Sequence, residues 1–442
     1  MTTSETATTL VDHATMGRLA DATAPDLRTA LPGPRAREVI DRDLAVSSPS
    51  MPRVYPLVPA RAEGCVMEDV DGNRFLDLNA GIAVNSTGHC HPAVVAAIEA
   101  QARSVLHYCS SDFYIPVYGQ LCERLAKLAP FGGRAARVFL SNSGAEAVEG
   151  AIKLARYRTG RQHIIAFLGS FHGRTLGALS LTASKARYRA GFGPLLPEVH
   201  HVPYGMEGVT QLRDQLFKHL VEPTEVAAIV VEPVQGEGGY IPAPPGFMAE
   251  LREVCDEHGI LLVADEVQSG IGRTGRFWAV EHDGVEPDVV LAGKGLASGL
   301  PLGALIARDE LMTWPPGTHG STFGGNPVAC AAALATIDLV TGGLQANAAA
   351  MGRRFADQLA GVQRRQALLE AFRARGLMIG LDFPDHDVAV AVEQACFHRG
   401  ILTLTCGERT VRIAPPLVIR ADEVDTAVPI LEDAIAAVAA AT

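Results

Sequence analysis

Five short stretches of uninterrupted apolar residues, at 164–168, 227–231, 260–264, 289–292 and 304–307, recur through the middle of the chain. A strand covered on one face alternates apolar and polar side chains, so a strand with no polar position must be buried on both faces. Helical stretches at 145–158 and 247–258 separate several of these runs. Together they predict an α/β fold with a large, mainly parallel sheet between helices. After a helix at 327–340 the pattern changes to a looser mixture: a strand at 378–383, a helix at 388–398, short strands around 402 and 411, and a final helix. That tail predicts a smaller α+β domain. At the other end, strands at 66–70 and 74–78 flank Asp71-Gly72, a strong hairpin signal. Helices at 93–106 and 117–128 and a strand at 137–140 lead into the apolar runs. The expected organisation is a mobile arm over 1–30, a segment over 31–91 packing with the small domain, a large domain over 92–335 and a small domain over 336–442.

Bulk properties narrow the function. With 442 residues, 48% of them hydrophobic, the chain can bury a core of two or three domains. No apolar run reaches the roughly 18 residues of a membrane helix, and the N-terminus does not read as a leader, so a cytoplasmic protein without a membrane partner is expected. A net charge of -11 offers no basic field for nucleic acid. Small molecules are the expected partners. The eight cysteines are scattered without paired spacing and read as reduced thiols. The densest metal-like cluster, His89-Cys90-His91 with His107 and Cys109 nearby, lacks a second set to complete a site, so no metal is expected.

In an open parallel sheet, ligands gather where the carboxyl ends of the strands meet loops and helix N-termini. The residues after each apolar run are therefore informative. The strand ending at Leu140 is followed by Ser141-Asn142-Ser143-Gly144-Ala145. Leu168 is followed by Gly169-Ser170-Phe171-His172-Gly173-Arg174, and Val231 by Glu232-Pro233-Val234-Gln235-Gly236-Glu237. Ala264 is followed by Asp265-Glu266-Val267-Gln268, and Ala292 by Gly293-Lys294-Gly295. Five strand ends thus bring an anion cradle, an aromatic ring, acids and a lysine to one crevice.

Only five of the 38 Lys and Arg residues are lysines: Lys127, Lys153, Lys185, Lys218 and Lys294. The first four lie in polar or amphipathic surroundings. Lys294 sits between glycines at the end of an apolar strand, where desolvation can lower an amine's pKa enough for imine chemistry. Arginine cannot replace it, since a guanidinium stays protonated. In isolation, a lysine snorkelling from a strand end reads equally well. Pyridoxal phosphate would account for the neighbours too, because it needs a carboxylate for its pyridine nitrogen, a phosphate cradle and a flat packing surface. Asp265 fits the first need. Ser143, Gly144 and Ala145, with amides at a helix N-terminus, fit the second. Phe171 fits the third, and Glu232 and His172 join the set around the cofactor. Each also has a plain structural reading: a helix cap, a core aromatic, a satisfied histidine. Gly270-Ile271-Gly272-Arg273-Thr274-Gly275 matches a dinucleotide-binding GxGxxG, but five residues separate it from the strand and no clear helix follows.

These residues, taken with 143–156, 171–175, 232–239, 265–275, 291–303 and 320–331, make the chain resemble the class III, or ω-amino acid, aminotransferases of fold type I, from about Pro32 onward. Among them 4-aminobutyrate aminotransferases look most similar, with acetylornithine, ornithine and lysine ε-aminotransferases near relatives. The resemblance implies a homodimer or dimer-based oligomer in which Lys294 holds pyridoxal 5'-phosphate as a Schiff base and shuttles a proton. Asp265 pairs with the pyridine nitrogen and Gln268 with the phenolic oxygen. Val267 packs opposite Phe171, and Thr322 reaches the neighbouring subunit's phosphate. Arg412 grips an α-carboxylate, Arg174 a distal one, and Glu237 covers Arg412 when an ω-amino substrate binds. Ile82 stands where ornithine aminotransferases carry a tyrosine, which favours a 4-aminobutyrate-like pocket. The implied reaction moves an ω-amino group to 2-oxoglutarate; some members racemise amino acids instead.

Overall fold

The computed structural model describes Leu19 and residues 23–441. The first three strands, β1 (Pro59–Glu63), β2 (Val66–Asp69) and β3 (Arg74–Asp77), form an antiparallel meander. The turn between β2 and β3 uses Gly72 at φ +87, a conformation that costs glycine little. The meander continues residues 23–30, which the sequence left in a mobile arm: Asp26 bridges Arg74, and the amides of Arg28 and Thr29 donate to Asn73 Oδ1 at 2.7 and 2.9 Å. The rest of that expected arm, 1–18 and 20–22, lies outside the described residues.

The central sheet has seven strands. They are β4 (Ala136–Ser141), β5 (His163–Phe167), β6 (Val199–Val202), β7 (Val226–Val231), β10 (Leu261–Asp265), β11 (Val289–Ala292) and β12 (Gly303–Arg308). A two-stranded ribbon, β8 (Val234–Gln235) with β9 (Ile241–Pro242), leaves the sheet after β7. The order is β4-β12-β11-β10-β7-β5-β6. Four of the five apolar runs pair in parallel, as expected. The fifth, β12, runs antiparallel between β11 and β4. An apolar pattern records burial on both faces and carries no information about direction. The edge strand β6 was also not foreseen, because Val199-His200-His201-Val202 has no apolar run.

The last strands, β13 (Ala371–Arg375), β14 (Met378–Asp382), β15 (Ile401–Leu402), β16 (Leu404–Cys406) and β17 (Thr410–Ile413), divide between two sheets. Four form an antiparallel sheet in the order β13-β14-β17-β16, and β15 adds in parallel to β3 of the N-terminal meander. The looser mixture expected after 340 also contains a 21-residue helix, Gln345–Arg365, which buries Phe355, Leu359 and Val362. It is continuous with the helix Pro327–Leu339 through a wide turn at Val340–Leu344. By length and mean hydropathy alone this stretch, Pro327–Arg365, passes for a membrane span, although polar residues interrupt it. Yet Ala329, Cys330, Ala333 and Ile337 lie in the main hydrophobic core, the behaviour of a central helix in a packed domain. All eight cysteines are unpaired.

Candidate active site

The sheet topology brings the expected residues to one edge. Strands β4, β5, β7, β10 and β11 share a direction, so the loops after them leave the same side, and Gly303 at the start of β12 pairs there with Ser141. The loops meet in close contact: a Cβ added to Gly144 would lie 2.7 Å from Val267 Cγ1, and one on Gly293 would lie 3.4 Å from the Gly144 amide nitrogen. Only glycine allows three loops to approach this closely.

Lys294 follows β11 with φ +39, a left-handed conformation that lysine rarely adopts and that concentrates at functional sites. Desolvation lowers the pKa of its ammonium; Glu237 opposes that shift and Arg412 adds to it. Asp265, the last residue of β10, is buried. One of its oxygens meets His172 Nδ1 at 2.6 Å and the other accepts from the Val267 amide at 3.1 Å. Burial opposes protonation of His172, but the bond and charge of Asp265 outweigh it and raise the imidazole's pKa. His172 therefore braces Asp265 from behind.

Glu232 ties two loops together, accepting from the Phe171 amide and the Gly236 amide, both at 2.8 Å. Burial pushes its carboxyl up to about 7. Ser143 caps the helix Gly144–Thr159, its hydroxyl accepting from the Glu146 amide at 3.2 Å. Glu146 returns the favour by accepting from Asn142 N and Nδ2 at 2.8 and 2.9 Å, so the turn is fixed from both sides. Ala145 is the second residue of the same helix.

A second group comes from the C-terminal sheet. Arg412, on β17, is buried and ion-paired with Glu237. The Gly407 amide donates to the Glu237 carbonyl at 2.7 Å, fastening the 236–239 loop to that sheet. Tyr240, which the sequence reading missed, links the two groups: its hydroxyl donates to Gln268 Oε1 at 2.9 Å, and its ring centre lies 6.0 Å from the Arg412 guanidinium carbon. Its position directly after Gly238-Gly239, in a stretch already rich in site residues, was the available signal.

Three candidates lie toward the periphery. Arg174 is exposed and stacks on Tyr188 at 4.6 Å. Ile82 is exposed in a left-handed turn in which Ala80, Gly81, Ile82 and Ala83 have φ of 50, 63, 69 and 57°. A β-branched residue in that region is strained by about 1–3 kcal/mol, and Ala83 shares an apolar cluster with Tyr240. Thr322 is exposed and lines a cavity of about 530 Å³ with Ser110, Ser111 and Tyr118. Its neighbour Ser321 accepts from Asn142 Nδ2 at 3.2 Å, so this loop abuts the Ser143 turn.

Two other sequence features have structural explanations. The GxGxxG segment is a buried clamp: Arg273 is fully enclosed and donates to the carbonyls of Leu377 and Pro415, and the glycines let the segment pack on Trp278, Val340 and Ala349. In the His89–His91 cluster, His89 bonds Asp77 at 2.7 Å and His91 accepts from the Ala93 amide at 3.2 Å, so the two histidines serve separate local contacts.

A strained lysine, a braced aspartate and a glycine-floored helix N-terminus on one edge of this sheet define an α/β enzyme built for pyridoxal phosphate. Among the described residues, buried His172 Nε2 and Arg412 Nε have no hydrogen-bond partner, which suits a site whose ligands complete it. The sequence model of the class-III aminotransferases matches residues 47–435, and the chain belongs to that family of pyridoxal-phosphate-dependent aminotransferases. It is 45% identical over 404 residues to an acetylornithine aminotransferase of Methanopyrus kandleri, covering 91% of this chain and 99% of that one. An alanine/serine racemase of Pyrococcus horikoshii is 37% identical, covering 93% and 92%. An ornithine aminotransferase from Toxoplasma gondii superposes with a TM-score of 0.85 at 32% identity, covering 92% and 96%. The enzyme acts on amino acids and oxo acids.

Proposed function

We propose that this enzyme moves the ω-amino group of an acetylornithine- or ornithine-like donor to 2-oxoglutarate, leaving a semialdehyde and glutamate. The buried Arg412–Glu237 pair beside Lys294 carries the reading. A guanidinium can fork onto the α-carboxylate of glutamate. Glu237 can take the guanidinium back when the uncharged or amino end of a donor enters, so one pocket serves both half-reactions. The acetylornithine aminotransferase relatives support such a donor over the 4-aminobutyrate that the sequence reading placed first. Ile82 keeps 4-aminobutyrate as the second reading, since it offers no hydroxyl to an α-carboxylate.

When bound, pyridoxal phosphate supplies an electron-poor ring that draws electrons from the substrate carbon. In this reading Lys294 would hold the cofactor and would take and return a proton at the substrate carbon. Asp265 keeps the pyridine nitrogen protonated, with His172 and Glu232 fixing the surrounding loops. The Ser143, Gly144 and Ala145 amides hold the phosphate, Gln268 holds the phenolic oxygen, and Phe171 and Val267 flank the ring. Arg174 grips a distal carboxylate. Thr322 serves the site of a second copy of the chain. Exposed Leu106, Tyr108, Phe113, Tyr114 and Phe323, on the segments that flank this cavity, support that pairing, because exposed apolar side chains close together in a fold suit an interface. The absence of any disulfide fits work in the cytoplasm.

Turnover of acetylornithine, ornithine, lysine and 4-aminobutyrate with 2-oxoglutarate tests the donor. Acetylornithine or ornithine should give the highest kcat/KM; a clear preference for 4-aminobutyrate would reverse the order of the two readings. Racemisation of L-alanine without an oxo acid, at a rate exceeding transfer, would overturn both.

A further inference from the structure

The opposite edge of the central sheet holds a group of side chains that the aminotransferase site does not use. His163 is the first residue of β5, and β6 beside it is the outermost strand. The strands pair in parallel with Ile164 opposite Val199 and Ile165 opposite His200. Alternation then puts His163 and His200 on one face of the sheet, with Glu198 just before β6 beside them. His163 Nδ1 lies 2.8 Å from His200 Nε2 and 3.2 Å from Glu198 Oε2. One donor atom from each of the three residues falls within 4.8 Å of the others.

We propose that His163, Glu198 and His200 form a binding site for a divalent transition metal, Zn²⁺ in the first instance, which staples the edge strand β6 to β5. Two imidazoles and a carboxylate are a common zinc donor set, with a fourth position open to water. Zinc–ligand bonds of about 2.0–2.1 Å at tetrahedral angles separate donor atoms by about 3.3 Å. The observed 2.8 and 3.2 Å contacts need to open by only a few tenths of an ångström, within reach of small ring rotations.

Three further features prepare the site. Glu198 adopts φ +63, a strained conformation for glutamate that turns its side chain back toward the histidines. Glu225 Oε2 stands 3.7 Å from His163 Nε2, the ring nitrogen facing away from the cluster. A carboxylate on that side favours the tautomer that leaves Nδ1 free to ligate. Arg156 donates to the carbonyls of Gln162 and Pro197 at 3.0 and 2.9 Å, clamping together the two chain segments that enter β5 and β6. The sequence reading sought metal ligands among neighbours in the chain and could not see a set assembled from 163, 198 and 200.

The test is calorimetric titration of ZnCl₂ into the EDTA-treated, dialysed, pyridoxal-phosphate-loaded full chain, with His163→Gln, His200→Gln and Glu198→Gln alongside. The wild type should bind about one Zn²⁺ per chain at this site, and each histidine variant should lose at least about 10-fold in affinity. Zn²⁺ should raise Tm in the wild type more than in either histidine variant. Aminotransferase turnover without zinc should be the same in all four proteins, which also reports that the variants fold. Undetectable binding, or equal affinity and stoichiometry in the wild type and both histidine variants, would overturn the proposal. Glu198→Gln adds the third ligand: binding as tight as in the wild type would remove Glu198 from the site and overturn the three-ligand assignment.

Discussion

Asp265 and Asp288 are buried carboxylates at opposite ends of neighbouring strands, and their surroundings differ in kind. Asp288, just before β11, meets Arg252 and Arg308 at 2.8 Å each and accepts from the Leu262 amide at 2.8 Å. Its charge is consumed in holding the sheet together. Asp265, at the end of β10, is met by one imidazole and one amide. Its charge is held in place but left available to a ligand. A buried acid spent on arginines is structural, whereas one braced by a titratable ring is poised for chemistry, and burial alone does not distinguish them.

Substitutions can break or sharpen this contrast. The largest effect is expected for Lys294→Ala, the residue Asp265 is placed to assist: kcat should fall by about 10⁴-fold, and borohydride reduction should leave no pyridoxyl group on the corresponding peptide. Substantial turnover in this variant would remove the lysine from the chemistry. Asp265→Asn should lower kcat by about 10²–10³-fold with little change in Tm. Asp288→Ala should do the reverse, costing about 1–3 kcal/mol in denaturant unfolding by removing a charged partner from two half-buried guanidinium groups, while kcat at permissive temperature stays near the wild-type value. If the two aspartates gave the same profile, the contrast would fail.

Arg412→Ala should raise KM for glutamate by about 10–100-fold, the loss of a charged, forked hydrogen-bond pair, with a smaller effect on the donor. The smallest effect concerns pH. Glu232 is raised from 4.5 to about 7 by burial, so it binds its proton more tightly folded than unfolded. Its contribution to stability is present below pH 4.5 and is lost as pH rises through about 7. The raised pKa of His172 acts in the same sense, its contribution fading as pH climbs past the raised value. Glu232→Gln should therefore flatten the decline of Tm across that interval. An unchanged slope would show that Glu232 titrates normally.

Much of this was legible in the chain. Unbroken apolar runs require strands covered on both faces, and a glycine-flanked lysine after one of them, in a protein with so few lysines, singled out Lys294 as the candidate amine. The residues after each run, Ser143, Phe171, Glu232, Asp265 and Lys294, were readable as one crevice because parallel strands must end on a common edge. Tyr240 was not legible, since its value lies in a hydroxyl meeting Gln268 and a ring beside Arg412, contacts made across separate segments.

The sequence by itself determined the apolar strands of the central sheet, the cofactor class and the place of Lys294 at a strand end, because these depend on periodicity and on chemistry carried by neighbours in the chain. Only the tertiary structure decided that β12 runs backward, that GxGxxG is a clamp around Arg273, that Tyr240 meets Gln268, and that His163, Glu198 and His200 come together. Strand direction, packing partners and charge pairing are set by segments that meet across the fold, and no local pattern records which segments those will be.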